Sequence, residues 1–168
     1  MEEKKGKDLV VVGHEGLTGF CLSVFEKLGM TREDAAIAAD ALVRCNLRGV
    51  DTHGALRMLV YTEKLKRGFI NPKPALRTLR ETGATALIDG DNGFGQVVGS
   101  RAMDIAIRKA REVGVSCVSV RHSNHFGACA HYSMMALPHD MIGIALTNAS
   151  PQIAPTGGAE KLLGNNPW

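Results

Sequence analysis

The sequence predicts an α/β protein. A helical N-terminal subdomain over residues 1–70 precedes a mixed or parallel sheet covered by helices over residues 75–168. Three observations carry this expectation. Apolar residues recur at helical spacing through the first third of the chain. The stretch GFINPKPAL then interrupts the pattern with glycine and two prolines, as a linker does. Beyond it, short apolar runs alternate with an amphipathic one and a small-residue one in the order strand, helix, strand, helix, strand.

Each element has a local reason. From His14 to Leu28 the residues Leu17, Phe20, Cys21, Val24, Phe25 and Leu28 fall on one helical stripe, and Gly29 ends it. Thr31 with Asp34 three residues later forms a near capping box for a second, alanine-rich helix that stops at Gly49. A third helix is expected from Thr52 to Lys66, ended by Gly68, with Leu56, Leu59 and Val60 toward the core. After the linker, ATALIDGD reads as a strand and QVVGSRAMDIAIRKAREVG as an amphipathic helix ending at Gly114. VSCVSV reads as a buried strand, GACAHYSMMAL as a short helix and MIGIALTNA as another buried strand. The end, LLGNNPW, reads as cut rather than finished, so the α/β part is expected to be incomplete and the chain to belong to a longer protein.

Composition narrows the function classes. With 45% hydrophobic and 22% charged residues, the chain has the make-up of an ordinary globular domain. The net charge of +3 is too small and too scattered for a nucleic-acid surface, and one Trp, two Tyr and five Phe offer few stacking platforms. No apolar run is long enough to cross a bilayer. The start MEEKKGKDLVVVGHEG lacks a signal-peptide pattern, so a cytoplasmic protein is expected. Cys21, Cys45, Cys117 and Cys129 form no CxxC and read as reduced, mostly core residues.

Three constellations bear chemistry. In RGVDTHGALRMLVY, a helix starting near Thr52 would place His53, Arg57 and Tyr61 along one side, with Asp51 and Thr52 beside the imidazole. An arginine fork there suits a carboxylate; the same pattern also fits a solvated helix face. In VRHSNHFGACAHY, residues 120 to 132, the loop at a strand's C-terminal edge carries His122 and His125. A catalytic or ligand-orienting His125 and a structural one fit equally well, His131 reads as structural, and Arg121 reads as pairing with a carboxylate or phosphate. No carboxylate or cysteine pair completes a metal set, so no metal is expected. In DGDNGFGQVVGS, Gly93, Gly95 and Gly99 imitate a dinucleotide fingerprint, but the spacing is imperfect and a glycine turn packing a helix on a sheet is preferred. TNASPQIAPTGGAEKLLGNNP reads as a long ordered loop near a binding site.

LRGVDTHGALRMLVY, INPKP, ALIDGDNGFGQVV, VRHSNHFGACAHY and TNASPQIAPTGGAEKLLGNNP, in this order, resemble the type 2 malate/L-lactate dehydrogenases, a family that also includes ureidoglycolate, sulfolactate and diketogulonate dehydrogenases and cyclic-imine reductases. The resemblance covers nearly everything after residue 14. It implies a non-Rossmann nicotinamide-binding fold and hydride transfer between NAD or NADP and a small 2-hydroxy or 2-oxo acid. It implies catalytic roles for His125, His53 and Thr52, and substrate binding by Arg57; Tyr61, one turn beyond Arg57, is expected to cap the pocket. Phe126, Gly127, Ala128, Asn148 and Asn166 are the implied cofactor contacts. GNNPW stands where many members have G-T-N-P, which leaves cofactor preference open. Members are longer than this chain, and cofactor contacts also come from their C-terminal half. The expected partners are the organic acid and a second copy of the chain in a dimer. Two other readings are a Rossmann NADP reductase using Gly93–Gly99 and a truncated, non-catalytic binding or assembly module.

Overall fold

The computed structural model describes residues 11–168. Most of the charged start lies outside the described residues, including the first part of the apolar run weighed above against a signal peptide. Three helices come first: α1 (His14–Lys27), α2 (Arg32–Leu47) and α3 (Met58–Lys66). The Thr31 hydroxyl accepts from the Asp34 amide at 3.2 Å, so the N-cap read from the sequence forms. α1 and α2 pack through Cys21, Phe25, Ala35, Ala38 and Leu42, with Met58, Tyr61 and Leu65 of α3 closing the cluster.

The α/β part holds β1 (Arg77–Glu81), β2 (Thr85–Gly93), α4 (Gly95–Val113), β3 (Cys117–Ser123) and α5 (Cys129–Ser133), followed by a 3-10 turn over Met134–His139. The sheet order is β1-β2-β3, antiparallel between β1 and β2 and parallel between β2 and β3. α4 makes the crossover that a parallel pair needs and ends at Gly114 with φ 88°. Phe94 and Val97 at the head of α4 join the helical core, where Phe94 sits edge-on to Phe25 (5.1 Å) and Tyr61 (4.9 Å). Asp34 of α2 pairs with Arg101 of α4, a second tie between the two parts.

Several expectations are corrected here. The chain from 51 to 57 is not the first turns of α3 but two 3-10 turns, Asp51–His53 and Ala55–Arg57, separated by Gly54. Gly54 has extended backbone (φ -89°, ψ -152°), which breaks the helix. The phase slip turns Leu56, Leu59 and Val60 outward; they are exposed rather than in the core. β1 was not anticipated, because its residues RTLRE are all exposed and carry no apolar alternation. β3 is not a buried strand: its residues alternate between half-buried and exposed up to Val120 and are exposed from Arg121 on. MIGIALTNA shows the alternating burial of a strand but is not one, for it has no ladder partner among the described residues. Ile142, Ile144 and Leu146 on its outward side are exposed. Of the cysteines, Cys21 and Cys45 are buried, Cys129 is half-buried and Cys117 is exposed; all four are free.

Candidate active site

The loop after β2 and the loop after β3 lie side by side. Asn124 binds them together, its Nδ2 donating to the Asn92 carbonyl (3.0 Å), the Asn92 side chain (3.0 Å) and the Gly93 carbonyl (3.1 Å). The glycines of DNGFGQVVG are filled by protein atoms. A Cβ on Gly95 would lie 2.3 Å from the His125 carbonyl oxygen and 2.5 Å from that of Asn124; one on Gly93 would meet Pro74 at 2.7 Å; one on Gly99 would meet the Tyr132 ring at 2.6 Å. These are close-packing glycines, as the sequence reading preferred, and the space beside them is not a phosphate cradle.

Close approach at Gly95 sets exposed His125 against the rim of the helical core. The His125 Nδ1 lies 2.7 Å from the hydroxyl of Tyr61, which in turn accepts from the Gln96 amide at 3.0 Å. Tyr61 was expected to cap the substrate pocket. It is instead only 2% exposed, because the phase slip before α3 turns its ring inward, and its hydroxyl holds His125.

His53 arrives from the other direction. Its ring stacks on that of His125, with centroids 5.6 Å apart and planes 23° from parallel. Asn46 of α2 builds the turn that presents it: Nδ2 donates to Asp51 at 2.6 Å, and Oδ1 accepts from the Ala55 amide at 2.8 Å. The Asn46 carboxamide fills the place of a Gly54 side chain, since a Cβ there would lie 2.3 Å from its Oδ1. Thr52 meets His53 as expected, Oγ1 to Nδ1 at 3.0 Å. Asp51 does not orient the imidazole, being taken by Asn46.

Arg57 donates Nε to the Thr52 carbonyl at 2.6 Å, and among the described residues no partner takes its two terminal nitrogens. Its charge is felt by both imidazoles. Desolvation foremost, then Arg57, lowers the His53 pKa from the usual value. His125 is lowered to about 4, by desolvation first and then by Arg57, His53 and Lys64. Both rings are therefore neutral at pH 7.

The other two histidines of VRHSNHFGACAHY go elsewhere. His122 (φ 50°) turns to the buried Asp89 at 3.1 Å, which Arg121 also pairs with at 3.2 Å. His131 bonds Ser100 at 3.2 Å, the structural place expected of it. Among the described residues no three His, Cys, Asp or Glu gather as a metal set. Phe126 stacks on Tyr132 (4.6 Å), whose hydroxyl donates to the Phe126 carbonyl. Gly127 has φ 78°, and Ala128 follows it. In the last loop, Asn166 Oδ1 accepts from the Ala149 amide at 2.9 Å, and Thr147 donates to the Pro167 carbonyl at 3.1 Å. Asn148 is exposed beside them. The hydrogen bonds of this loop run within it.

Sequence reasoning missed Gln96, Asn46 and Asn124. Gln96 had one available signal: a polar residue that heads the apolar face of an amphipathic helix, against Val97 and Val98, is buried for a reason.

Residues 12–168 match the family model for malate/L-lactate dehydrogenase. The chain is 46% identical over 161 residues to the malate dehydrogenase of Pyrococcus abyssi, covering 96% of this chain and 44% of that protein. It is 51% identical over 146 residues to the L-sulfolactate dehydrogenase of Methanocaldococcus jannaschii, covering 87% and 42% respectively. The solved malate dehydrogenase of Pyrococcus horikoshii OT3 superposes with a TM-score of 0.92 at 46% identity over 99% of this chain and 48% of that one. The chain thus spans less than half the length of the relatives it matches, corresponds to their N-terminal portion, and shares their non-Rossmann fold. On the strength of the family model and these structural matches, the chain belongs to the malate/L-lactate dehydrogenase family.

Proposed function

We propose that the chain carries the acid–base and carboxylate-binding half of an enzyme that moves a hydride between NAD or NADP and a small 2-hydroxy or 2-oxo acid. The observation that supports this most is the stack of His53 on His125, two imidazoles 72 residues apart and 5.6 Å between centroids, both under the field of Arg57. Residues 1–70 supply His53, Thr52 and Arg57; residues 75–168 supply His125 and the wall beside it.

The chemistry has three requirements. The substrate carboxylate needs a fixed cation, and the two terminal nitrogens of Arg57 can take it bidentately. The substrate oxygen needs a proton donor or acceptor close by, a role that an imidazole performs in either direction. A flat cofactor ring needs a wall without bulk. Half-buried Phe126, Gly127 and Ala128, directly after His125, fit that need, and they would hold a nicotinamide there. When bound, the nicotinamide supplies or takes the hydride. Asn148 and Asn166 are assigned to the same cofactor in this reading. A carboxylate on Arg57 offsets the charge that depresses both imidazoles, so substrate binding itself raises their proton affinity. A cytoplasmic location and a dimer complete the reading; no helix among the described residues is long and apolar enough to cross a membrane, and outward-facing Leu56, Leu59 and Val60 beside the site offer an apolar surface for a second copy.

In the full-length protein, His125→Ala and Arg57→Ala should each lower kcat/KM by about a hundredfold or more on the true substrate, found with a panel of 2-oxo acids and both NADH and NADPH. Near-normal turnover in either variant would remove the role assigned to that residue.

A further inference from the structure

Gln96 is 1% exposed, and its Oε1 is a buried oxygen without a hydrogen-bond partner. Its Nε2 donates to Tyr61 at 3.0 Å. A phenol has one hydrogen. With its oxygen accepting from Gln96, placing that hydrogen on the 2.7 Å contact to His125 leaves no phenol hydrogen stranded, and Nδ1 is then the bare nitrogen. The His125 proton then resides on Nε2. Turning the Gln96 amide by half a turn brings Oε1 to Tyr61 instead. The phenol hydrogen then goes to Gln96, the phenol oxygen accepts, and Nδ1 of His125 carries the proton while Nε2 is bare. The first orientation leaves a buried carbonyl oxygen unpaired and the turned one a buried N–H pair; an unpaired buried N–H is the rarer, so the first prevails and the second stays accessible. Gly127 leaves room for the turn, for a Cβ there would stand 3.1 Å from Gln96 Nε2.

We infer that Gln96 is a positioning residue that acts through Tyr61 to select which nitrogen of His125 bears the proton. One amide orientation makes Nε2 a donor to a carbonyl oxygen; the other makes it an acceptor for an alcohol proton. The exchange is balanced: a proton gained at Nε2 of the second form gives an imidazolium whose Nδ1–H still donates to Tyr61. Release of that Nε2 proton to a substrate oxygen or to solvent restores the second form, with the amide unmoved. The use of this exchange in turnover rests on the dehydrogenase reading above; the selection itself does not.

The test is nitrogen-15 NMR of histidine-labelled full-length protein at pH 7, with His125 assigned by the signal lost in His125→Asn. The expected wild-type spectrum has protonated Nε2 and bare Nδ1. Gln96→Met and Tyr61→Phe should each raise the Nδ1-protonated share severalfold. Gln96→Glu, the closest in shape, should swap the protonated nitrogen as its carboxylate ionises, because a carboxylate only accepts. A protonated Nδ1 in the wild type overturns the inference. So does an unchanged ratio in Gln96→Met, or no swap in Gln96→Glu between pH 5 and 10. In turnover, Gln96→Met should lower kcat by about tenfold and shift its pH profile, with KM for the acid little changed. Absence of dehydrogenase activity alongside the expected spectra would defeat the proposed function and leave the selection standing.

Discussion

Gly95→Ala separates the two meanings of the glycine run in DNGFGQVVG. The added Cβ would lie 2.3 Å from the His125 carbonyl oxygen and 2.5 Å from that of Asn124, both backbone atoms. Ordinary contacts begin at about 3.0 to 3.4 Å, so about 0.7 to 1.1 Å must be found by moving the main chain. The head of α4 cannot supply it, since Gly95 through Val98 are buried in the joint between the helical core and the sheet. The 124–126 loop must therefore move, and with it the 2.7 Å bond from Tyr61 and the 5.6 Å stack on His53. A displacement of about 1 Å in a reacting group costs about a hundredfold in rate. The overpacking itself should cost about 1–3 kcal/mol of stability. The assay is steady-state turnover of the full-length variant, with cofactor affinity and a urea melt measured on the same material. Loss of kcat/KM with cofactor Kd within a few-fold of wild type is the expected pattern. Full turnover would refute the steric argument. A loss confined to cofactor affinity would instead restore the phosphate-cradle reading of Gly93–Gly99.

Other outcomes follow from the same coordinates. Gly19→Ala, in the middle of α1 with open space where its Cβ would go, should stabilise the protein by about 0.5–1 kcal/mol without changing activity, read from urea unfolding. The His125 imidazole should titrate near pH 4 by NMR. Arg57→Met should raise that midpoint without restoring the ordinary 6.5, because desolvation is the larger cause and remains. His53, His125 and His131 are all depressed, so between the ordinary histidine range and about pH 4 the unfolded chain binds more protons than the folded one. Their contribution is therefore intact above about pH 6.5 and is lost as pH falls toward 4; a urea midpoint that stays flat over that interval would contradict the shifts.

The sequence carried the helices well where one face of a helix meets one core. α1, α2 and α4 begin and end within a residue or two of their caps, because Thr31, Gly29 and Gly114 act locally. It failed where a distant residue decides. The break at Gly54 follows from the Asn46 side chain standing where a Cβ would be, and nothing within RGVDTHGALRMLVY announces it. That break changes which side of α3 faces inward, so Tyr61 came out as a support of His125 rather than a pocket cap, and Leu59 and Val60 as surface. The site itself was half legible. His53, Thr52, Arg57 and His125 could be named from their motifs. That the two imidazoles stack, and that Gln96 sits behind them, depends on packing between elements more than 30 residues apart, which periodicity does not encode.

The 141–149 stretch has a practical consequence. Between the bonded amides of Met141 and Thr147, Ile142 to Leu146 present amides unpaired among the described residues and outward apolar side chains, a template on which another strand can add, and natural proteins blunt such edges with charge or proline. None interrupts Ile142 through Leu146. Preparations in which this ribbon is left uncovered should therefore self-associate with rising concentration, and mild detergent or a lysine at position 144 should keep them dispersed.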